Sequence, residues 1–261
     1  MNSSDWLDIL REAAENIHTT VTEALLKGAG LETQDFKHFL DEVAQHALTE
    51  TLIAKGVTAN LISEEGNVII GGGGPVVIAD PIDGTTNLAR GLHPAATCLS
   101  VSENGRHSGT LAAVIKDIYT GETYTAEPGK GAKLDGRPIH VATPKQARSA
   151  LITMGISKTP KLERVTPVLN TCRYIRMLGS SATELSLIAS GNLDAHIDVR
   201  GTLRATDVAA ALTILSESNG VYAIDRVIGG DFLLTKEVVM ELVAASNEPL
   251  LDELLTLTKG P

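Results

Sequence analysis

The first part of the chain repeats apolar residues with the period of an α-helix. The repeat predicts a helix that begins at Ser4 or Asp5, either of which can cap it, and that ends near Leu26. Its apolar positions fall on one face: Leu7, Leu10, Ala14, Ile17, Val21 and Leu25. A second amphipathic stretch predicts a helix over residues 36–55, ended by Gly56. The chain therefore begins with a pair of helices that each offer one face to a core.

The middle of the chain has the pattern of strands. Short β-branched runs separated by turns such as Asn104-Gly105 and Thr120-Gly121 predict an antiparallel meander. The predicted strands cover residues 61–66, 68–70, 76–79, 98–102, 109–116 and 122–127. The run Gly71–Gly74 lacks the lysine and the spacing of a P-loop, so we interpret it as the tip of a hairpin.

Strands and helices alternate in the last part of the chain. Residues 144–162 predict a boundary, with a candidate strand at 151–154, and further strands are predicted at 195–199, 221–224 and 238–244. Helices are predicted after Gly179-Ser180-Ser181, after Asp207 and over 250–257. We therefore divide the chain into an N-terminal α+β half, residues 1–143, and a C-terminal α/β half, residues 144–261. This order predicts layered sheets and helices.

Composition and charge limit the classes of function. The 261 residues are 43% hydrophobic, and the net charge of −10 argues against a nucleic acid or an anionic membrane as the main partner. Anionic substrates stay open, because bound divalent cations reverse the local field. Neither Cys98 nor Cys172 has a CxxC neighbour, and the seven histidines form no metal motif. Without a signal-peptide pattern or an apolar run of about 20 residues, we expect a cytoplasmic protein.

The segment from residue 76 to residue 87 carries the strongest chemical pattern. A β-branched run ends at Asp80, Pro81 stiffens the next step, and Asp83 follows before Gly84. Hard cations such as Mg²⁺ take oxygen ligands, commonly one or two carboxylates together with a substrate phosphate. The segment offers two carboxylates, and a backbone carbonyl lies between them.

Hydrolysis of a phosphate monoester needs more than proton transfer. Enzymes accelerate it by up to about 10²¹-fold, whereas one general acid or base supplies about 10²–10⁴. A pair of metal ions can supply more, and it needs acids from several parts of the chain. Glu64 at a strand end and Asp207 at the start of an apolar helix are further candidates. Gly84-Thr85-Thr86 and Gly179-Ser180-Ser181 have small residues where a helix can start, which favours an anion.

Each of these features alone also has a purely structural interpretation. Asp80-Pro81-Ile82-Asp83-Gly84 can be a turn, Asp207 can be a helix cap, and Glu64 can be a solvated strand end. Their occurrence together in one chain favours the metal-dependent interpretation.

Three segments resemble the inositol monophosphatase/fructose-1,6-bisphosphatase superfamily of Mg²⁺-dependent, lithium-sensitive phosphatases. They are Asp80-Pro81-Ile82-Asp83-Gly84-Thr85, Ser63-Glu64-Glu65 and, in part, Asp207-Val208-Ala209-Ala210. The resemblance covers nearly the whole chain. It implies an αβαβα sandwich, which is a layered α+β arrangement, and a homodimer, because members of this family are commonly dimers.

The resemblance also implies a role for each matching position. One metal would be held by Glu64, Asp80 and the Ile82 carbonyl, and a second by Asp80, Asp83 and Asp207. The cofactor would be Mg²⁺, two or three ions per site, with Mn²⁺ as the alternative. Thr85 and Asp41 would position the attacking water. Gly84 and Thr85 would bind phosphate, and Gly179, Ser180 and Ser181 would line the substrate pocket. Asp35 and Glu42 compete with Asp41 for its role.

The resemblance leaves the substrate open. Thr206 and Ala211 replace a usual tryptophan and glycine, and Arg200 stands where animal and bacterial inositol monophosphatases have a glutamate that binds inositol hydroxyls. In this respect the chain looks like archaeal members that hydrolyse both fructose 1,6-bisphosphate and inositol 1-phosphate, an activity of carbohydrate metabolism and gluconeogenesis. Arginine suits a second phosphate, and Arg173 and Arg176 could serve the same end. The alternative for each arginine is an ion pair, for Arg200 with Asp198.

Two other functions stay open from the sequence. One is a phosphatase for 3′-phosphoadenosine 5′-phosphate or NADP, for which the low aromatic content of 3% offers few stacking partners. The other is a non-catalytic regulator, since a bacterial relative acts with the transcription machinery.

Overall fold

Two long helices begin the chain. The computed structural model describes residues 1–27, 33–143, 145–158 and 161–260. Helix α1 covers Ser3–Lys27 and helix α2 covers Thr33–Ala54, and the two pack against each other. Their buried faces include Leu10, Ile17 and Leu48. The predicted helix pair is confirmed, with a start of α2 three residues earlier than expected.

The first sheet has eight strands in the order β2-β1-β3-β4-β5-β6-β7-β8. Its strands are β1 (Ala59–Ser63), β2 (Gly66–Ile70), β3 (Val76–Asp83), β4 (Ala96–Ser102), β5 (Thr110–Asp117), β6 (Thr123–Ala126), β7 (Ala132–Leu134) and β8 (Arg137–Pro138). A short helix α3 (Thr85–Ala89) separates β3 from β4. The neighbours are antiparallel except β1 and β3, which run parallel. The antiparallel meander predicted for the strands near residues 98–102, 109–116 and 122–127 is therefore confirmed as β4, β5 and β6.

The second sheet has six strands in the order β10-β9-β11-β14-β12-β13. Its strands are β9 (Leu151–Met154), β10 (Tyr174–Arg176), β11 (Ala195–Arg204), β12 (Val221–Ile224), β13 (Val227–Ile228) and β14 (Val239–Ala245). The helices of this part are α4 (Leu162–Thr171), α5 (Ser181–Ala189), α6 (Ala205–Glu217) and α7 (Glu248–Leu257).

The elements stack in five layers, as the resemblance implies. Helices α1 and α2 cover one face of the first sheet, α5 and α6 lie between the two sheets, and α4 and α7 cover the outer face of the second sheet. Alternate side chains of β3 show why: Val77 and Ala79 join the core under α1 and α2, whereas Ile78 joins the core around α6. This arrangement is the predicted αβαβα sandwich.

Two local expectations need correction. Helix α6 begins at Ala205 and not at Asp207, because the Asp207 carboxylate accepts the Arg204 backbone N–H (3.1 Å) and so caps the first turn from inside the helix. Helix α4 was not predicted, because Pro167 lies within it and a proline argues against a helix interior. Val165 and Val168 nevertheless bury one face of α4.

Each sheet comes from one part of the sequence, residues 59–138 for the first and 151–245 for the second. The two parts share the core that surrounds α5 and α6, and the division into domains at residue 143 stays a prediction. Part of the predicted boundary, namely Pro144, Thr159 and Pro160, lies outside the described residues. None of the described helices has the length and apolar character needed to cross a membrane.

Candidate metal and phosphate site

The end of strand β3 is irregular at Pro81. Asp80 pairs with Cys98 and Asp83 pairs with Ala96, so β3 has one residue more than β4 at this point. Pro81 has no N–H for the ladder, and its carbonyl accepts the Thr97 hydroxyl (2.9 Å) instead. The Asp80 carboxylate accepts the backbone N–H of Ile82 (3.0 Å), which fixes the carboxylate beside its own strand end.

Three carboxylates from different elements converge at this strand end. Oxygens of Glu64, Asp80 and Asp207 all lie within 4.8 Å of one another. Glu64 follows β1, and Asp80 lies near the end of β3; since these strands are parallel, their carboxyl ends meet at one edge of the sheet. Asp207 comes from the first turn of α6 in the middle layer. The grouping of Glu64, Asp80 and Asp207 was predicted.

The side chain of Asp83, the last residue of β3, contacts the start of α5 and lies near Asp207 of the same cluster. One of its oxygens, Oδ2, accepts the Ser180 hydroxyl (2.9 Å) and the Ala182 backbone N–H (2.7 Å). Burial and the nearby Asp207 carboxylate raise the pKa of Asp83 to about 8. Asp83 therefore joins the strand β3 motif to the Gly179-Ser180-Ser181 segment.

The carboxylates of the cluster repel one another. Burial raises the pKa of Asp80 well above its usual range, and Glu64, Asp83 and Asp207 raise it further. Burial also raises the pKa of Asp207, an effect that Arg204 opposes. Divalent cations relieve such repulsion, and a donor set made only of oxygens suits Mg²⁺ or Mn²⁺. The residues present thus fit the implied metal.

The Ile82 carbonyl is the remaining candidate ligand. It accepts the Thr85 hydroxyl (2.9 Å), and a carbonyl oxygen has a second lone pair. The bulge at Pro81 removes this carbonyl from the regular pairing of β3 with β4. Ile82 as a metal ligand stays a prediction that this geometry permits.

A cation from the chain itself lies among the acids. The Arg204 Nη2 atom is 2.7 Å from Glu64 Oε2 and 3.3 Å from Asp207 Oδ1. The Lys236 ammonium donates to the Glu64 backbone carbonyl (3.3 Å). Sequence reasoning did not assign a role to either residue. The one available signal was the spacing of Arg204 three residues before Asp207, which places the two on the same side of a helix start.

Asp41 is the acid of helix α2 that approaches Thr85. Burial, followed by the Glu65 carboxylate, raises the pKa of Asp41 to about 6, and a hydrogen bond with the Thr85 hydroxyl opposes this rise. A hydroxyl has one proton, so Thr85 donates either to Asp41 or to the Ile82 carbonyl. This proximity favours Asp41 over Asp35 as the partner of Thr85.

The two small-residue segments come together, and glycine is required in both. Gly84 has φ +93°, and a Cβ there would lie 3.0 Å from the Pro94 carbonyl oxygen and 3.3 Å from Ser180 Cβ. Gly179 has φ +84°, and a Cβ there would lie 3.2 Å from Asn87 Nδ2. L side chains rarely adopt this backbone conformation, and at either position a Cβ would also press on a neighbouring atom.

Asn87 joins these segments through its side chain. Its Nδ2 group donates to the Pro94 carbonyl (2.9 Å) and to the Leu178 carbonyl (2.8 Å). The Leu178 backbone N–H donates to the buried Glu184 carboxylate (2.7 Å), which also lies 3.2 Å from His196 Nδ1. The segment before Gly179 is thus held on two sides, and neither Asn87 nor Glu184 was predicted to hold it.

The candidate substrate arginines make other contacts. Arg200 donates through Nε (2.9 Å) and Nη2 (2.5 Å) to Asp198, and through Nη1 to the Ser157 carbonyl (3.0 Å). Arg176 is exposed, and its Nη1 atom donates to the Ile175 carbonyl (2.9 Å). The contacts of Arg200 match the structural alternative of a pair with Asp198. Substrate binding by Arg176 and Arg200 stays a prediction.

Comparison with known proteins identifies the same family over nearly the whole chain. The sequence model described as the inositol monophosphatase family matches residues 3–256. A fructose-1,6-bisphosphatase/inositol-1-monophosphatase from Thermococcus kodakarensis is 29% identical over 251 residues, which cover 95% of this chain and 89% of the relative. The Nus factor SuhB of Escherichia coli K12 is 29% identical over 234 residues, covering 87% and 84%.

A solved structure confirms the fold. The inositol monophosphatase from Anabaena (Nostoc) sp. PCC 7120 superposes with a TM-score of 0.81, over 99% of this chain and 97% of the other. The identity is 20%, so this likeness concerns the layered architecture and not the substrate.

Proposed function

Because the chain belongs to the inositol monophosphatase family, we propose that it is a Mg²⁺-dependent phosphatase of sugar or polyol phosphate monoesters, with fructose 1,6-bisphosphate and inositol 1-phosphate as its substrates. One observation carries this proposal: carboxylates from β1, β3 and α6 meet beside two glycine-containing segments with little room for side chains. Such an arrangement places oxygen ligands for a cation next to backbone that an anion can approach closely.

The metal would be held by the acids of the cluster. These ligands are Glu64, Asp80, the Ile82 carbonyl, Asp83 and Asp207. When bound, Mg²⁺ supplies charge neutralisation on the phosphate and lowers the pKa of a coordinated water.

The chain's own groups orient the reactants. The Thr85 hydroxyl and the Asp41 carboxylate hold the attacking water, and with a pKa of about 6 Asp41 is mostly ionised at pH 7, so it can accept a hydrogen bond from that water. Gly84 and Thr85 bind phosphate oxygens through backbone N–H and hydroxyl groups. Ser180 donates to Asp83 and therefore fixes a ligand while it lines the pocket with Gly179 and Ser181.

The choice of substrate rests on two features. The Thermococcus kodakarensis relative is named for both activities, and a cationic residue, Arg200, stands seven residues before Asp207. An arginine released from Asp198 could bind the second phosphate of a bisphosphate. The adenine-containing substrates 3′-phosphoadenosine 5′-phosphate and NADP remain the alternatives within the same chemistry.

A non-catalytic regulatory function is the alternative of another class. It is favoured by the relative named as a Nus factor. The cluster of acids and the net charge of −10 weigh against it, because a regulator that contacts nucleic acid has no need of three clustered carboxylates and gains nothing from a negative surface.

We also propose that the protein is a cytoplasmic homodimer. Strand β10 is an edge strand of the second sheet, and Tyr174 and Met177 beside it are 51% and 62% exposed. Exposed apolar residues at the free edge of a sheet are typical of an association surface. Light scattering after size-exclusion chromatography measures the mass in solution, and a monomer at micromolar concentration would contradict this proposal.

The proposed activity is tested by phosphate release. Fructose 1,6-bisphosphate, inositol 1-phosphate and 3′-phosphoadenosine 5′-phosphate are each incubated with Mg²⁺ or with EDTA, and Asp207→Asn is the matched inactive control. Release from the first two, only with Mg²⁺, supports the proposal. Release from the adenine nucleotide alone favours the alternative substrate class. Folded protein without release from any of the three favours the regulatory function.

A further inference from the structure

A second cavity lies at the other end of helix α6 from the acid cluster. Its volume is about 280 Å³, and hydroxyl groups line much of it. The residues that the argument uses are His107, Ser108, Thr110, Thr213, Ser216 and Tyr222. Ser216 is nine residues beyond Asp207, which is about 14 Å along the helix axis at about 1.5 Å per residue. The cavity is therefore separate from the proposed catalytic site.

His107 lies at the centre of the hydrogen bonds of the cavity. Burial lowers the pKa of His107, so the ring is neutral at pH 7. Thr213 Oγ1 lies 3.1 Å from the Ala209 carbonyl oxygen and 3.2 Å from His107 Nε2, and its one proton serves one of these two contacts. The Tyr222 hydroxyl lies 3.3 Å from His107 Nδ1, and the tautomer of the ring decides which of the two donates. Phe232 stacks on the imidazole with the ring centroids 4.8 Å apart.

Two hydroxyl protons of the cavity are used within the protein. Thr110 donates to the His107 carbonyl (2.7 Å), and Ser108 donates to an Asp231 oxygen (3.0 Å). These two hydroxyl groups keep only acceptor lone pairs towards a ligand, and the Asp231 and Glu217 carboxylates add further acceptors to the lining. A ligand that brings several hydrogen-bond donors therefore suits this cavity.

The charges at the rim exclude an anion. The Asp231 carboxylate pairs with Arg106 (2.5 Å), and the Glu217 carboxylate accepts the backbone N–H groups of Gly129 and Gly131 (2.8 Å each). Both carboxylates line the cavity, and among the described residues its lining includes no lysine or arginine. A phosphate group would meet two carboxylates here, and the nearby Arg106 guanidinium is already paired with one of them.

We infer that this cavity binds a small uncharged polyol. The volume is just below the range of about 300–1,000 Å³ for sites of drug-sized ligands, so it suits a ligand of monosaccharide size. Several O–H donors on one small ring satisfy the surplus of acceptors, and the absence of charge suits a rim whose carboxylates already have partners. Of the two proposed substrates, inositol 1-phosphate releases an unphosphorylated polyol of this class on hydrolysis; only this last statement rests on the proposed function.

Binding is measured without turnover, so its failure is distinct from a failure of the proposed function. Isothermal titration of the full chain with myo-inositol in EDTA should give saturable one-site binding. Thr213→Val removes an acceptor with little change in shape, and Ser216→Trp fills the opening; each should weaken binding by at least fivefold. Asp83→Asn in the acid cluster and Thr256→Trp on an exposed position of α7 are matched controls that should bind like the wild type.

Several results would overturn the inference. These are the absence of saturable binding, binding that survives both cavity variants, and binding that Asp83→Asn abolishes. Tighter binding of inositol 1-phosphate, or of a primary amine of the same size, would overturn the assigned ligand chemistry. Circular dichroism checks the fold of each variant, and if Ser216→Trp does not fold, Thr213→Val and NMR shifts of the His107 ring on adding myo-inositol decide the question.

Discussion

The guanidinium of Arg204 and the carboxylate of Glu64 form an ion pair that connects the two halves of the chain. Arg204 Nη2 lies 2.7 Å from Glu64 Oε2, at the point where α6 begins and β1 has ended. The same Nη2 atom is 3.3 Å from Asp207. A positive side chain therefore occupies part of the space between two candidate metal ligands, and it reduces their mutual repulsion.

Arg204→Gln should strengthen Mg²⁺ binding and lower the thermal stability of the metal-free protein. Loss of the guanidinium makes the acid cluster more negative and releases Glu64 for the metal, so we expect the Kd for Mg²⁺ to fall severalfold. The same loss leaves the carboxylates less compensated, so the Tm in EDTA should fall. Calorimetric titration and thermal melting measure the two effects. Arg11→Gln, at an exposed pair with Asp8, is the control, and an unchanged or weaker Mg²⁺ affinity would contradict this role of Arg204.

Asp83→Asn should separate stability from activity. The Asn carbonyl can accept the same bonds from Ser180 and Ala182, while the charge that repels Asp207 is removed. In EDTA we expect a Tm equal to or above that of the wild type, and a smaller rise on adding Mg²⁺. Phosphate release should fall by more than about 100-fold. This exceeds the loss of about 10–100-fold that is typical when a residue that only supports a metal ligand is replaced. Wild-type turnover with an unaltered response to Mg²⁺ would exclude Asp83 from the ligand set.

Gly84→Ala should destabilise the candidate phosphate-binding segment by steric contact as well as by an unfavourable backbone conformation. Gly84 at φ +93° and Gly72 at φ +94° have almost the same backbone, but a Cβ at Gly72 meets nothing within 4 Å. Both alanine variants therefore incur the left-handed cost of about 1–2 kcal/mol. Only Gly84→Ala also pushes against Pro94 and Ser180, so urea unfolding should show a larger loss of stability for it. Equal losses in the two variants would remove the steric argument.

Arg200→Gln tests whether this arginine has a structural role. Asp198 is fully buried, and removing its partner leaves an uncompensated charge, a change that typically costs about 3–5 kcal/mol. The double variant Asp198→Asn/Arg200→Gln should recover much of that stability in urea unfolding. If Arg200 also binds a second phosphate, the double variant will show a raised KM for fructose 1,6-bisphosphate and an unchanged KM for inositol 1-phosphate. Full stability of the single variant would contradict the ion-pair role.

We expect burial of His107 to make the protein less stable in mild acid. Its folded pKa is lowered, so below the usual value of about 6.5 the unfolded chain binds a proton that the folded protein does not. The stability contributed by neutral His107 is complete above about pH 6.5 and declines as the pH falls from there. Urea unfolding between pH 7.5 and 5.5 should show a shallower decline for His107→Gln than for the wild type, whereas the exposed control His140→Gln should keep the wild-type slope.

Glu64 and Asp80 were predictable at strand ends by local rules, whereas their grouping with Asp207 rested on a shared chemistry and on the family resemblance. Parallel pairing of β1 with β3 brings Glu64 beside Asp80, and the proline after Asp80 ends the regular ladder. The helix start at Ser181 was predictable for the same reason, since Ser180 caps it with its own hydroxyl. These features depend on residues that are close in sequence or on neighbouring strands.

The contacts that hold the site together were beyond such reasoning. Asn87 binds the Leu178 carbonyl from 91 residues away, and Arg204 reaches Glu64 across the interface of the two sheets and α6. No periodicity relates such partners, because their proximity results from the packing of the layers. Arg200 illustrates the same limit: its charge suggested a phosphate, and only the fold shows how closely it pairs with Asp198.

Helix α6 has a consequence for which substitutions the protein tolerates. All of its residues from Ala205 to Leu215 are buried, and the run Ala209–Ala211 presents methyl groups to its surroundings. The width of this helix therefore sets the distance between the two sheets. A larger side chain in the run Ala209–Ala211 would push the sheets apart and move Asp207 away from Asp80. It would do so without contacting a substrate. Mutational tolerance at these alanines is thus governed by ångström-scale spacing at a candidate metal site that lies beyond them.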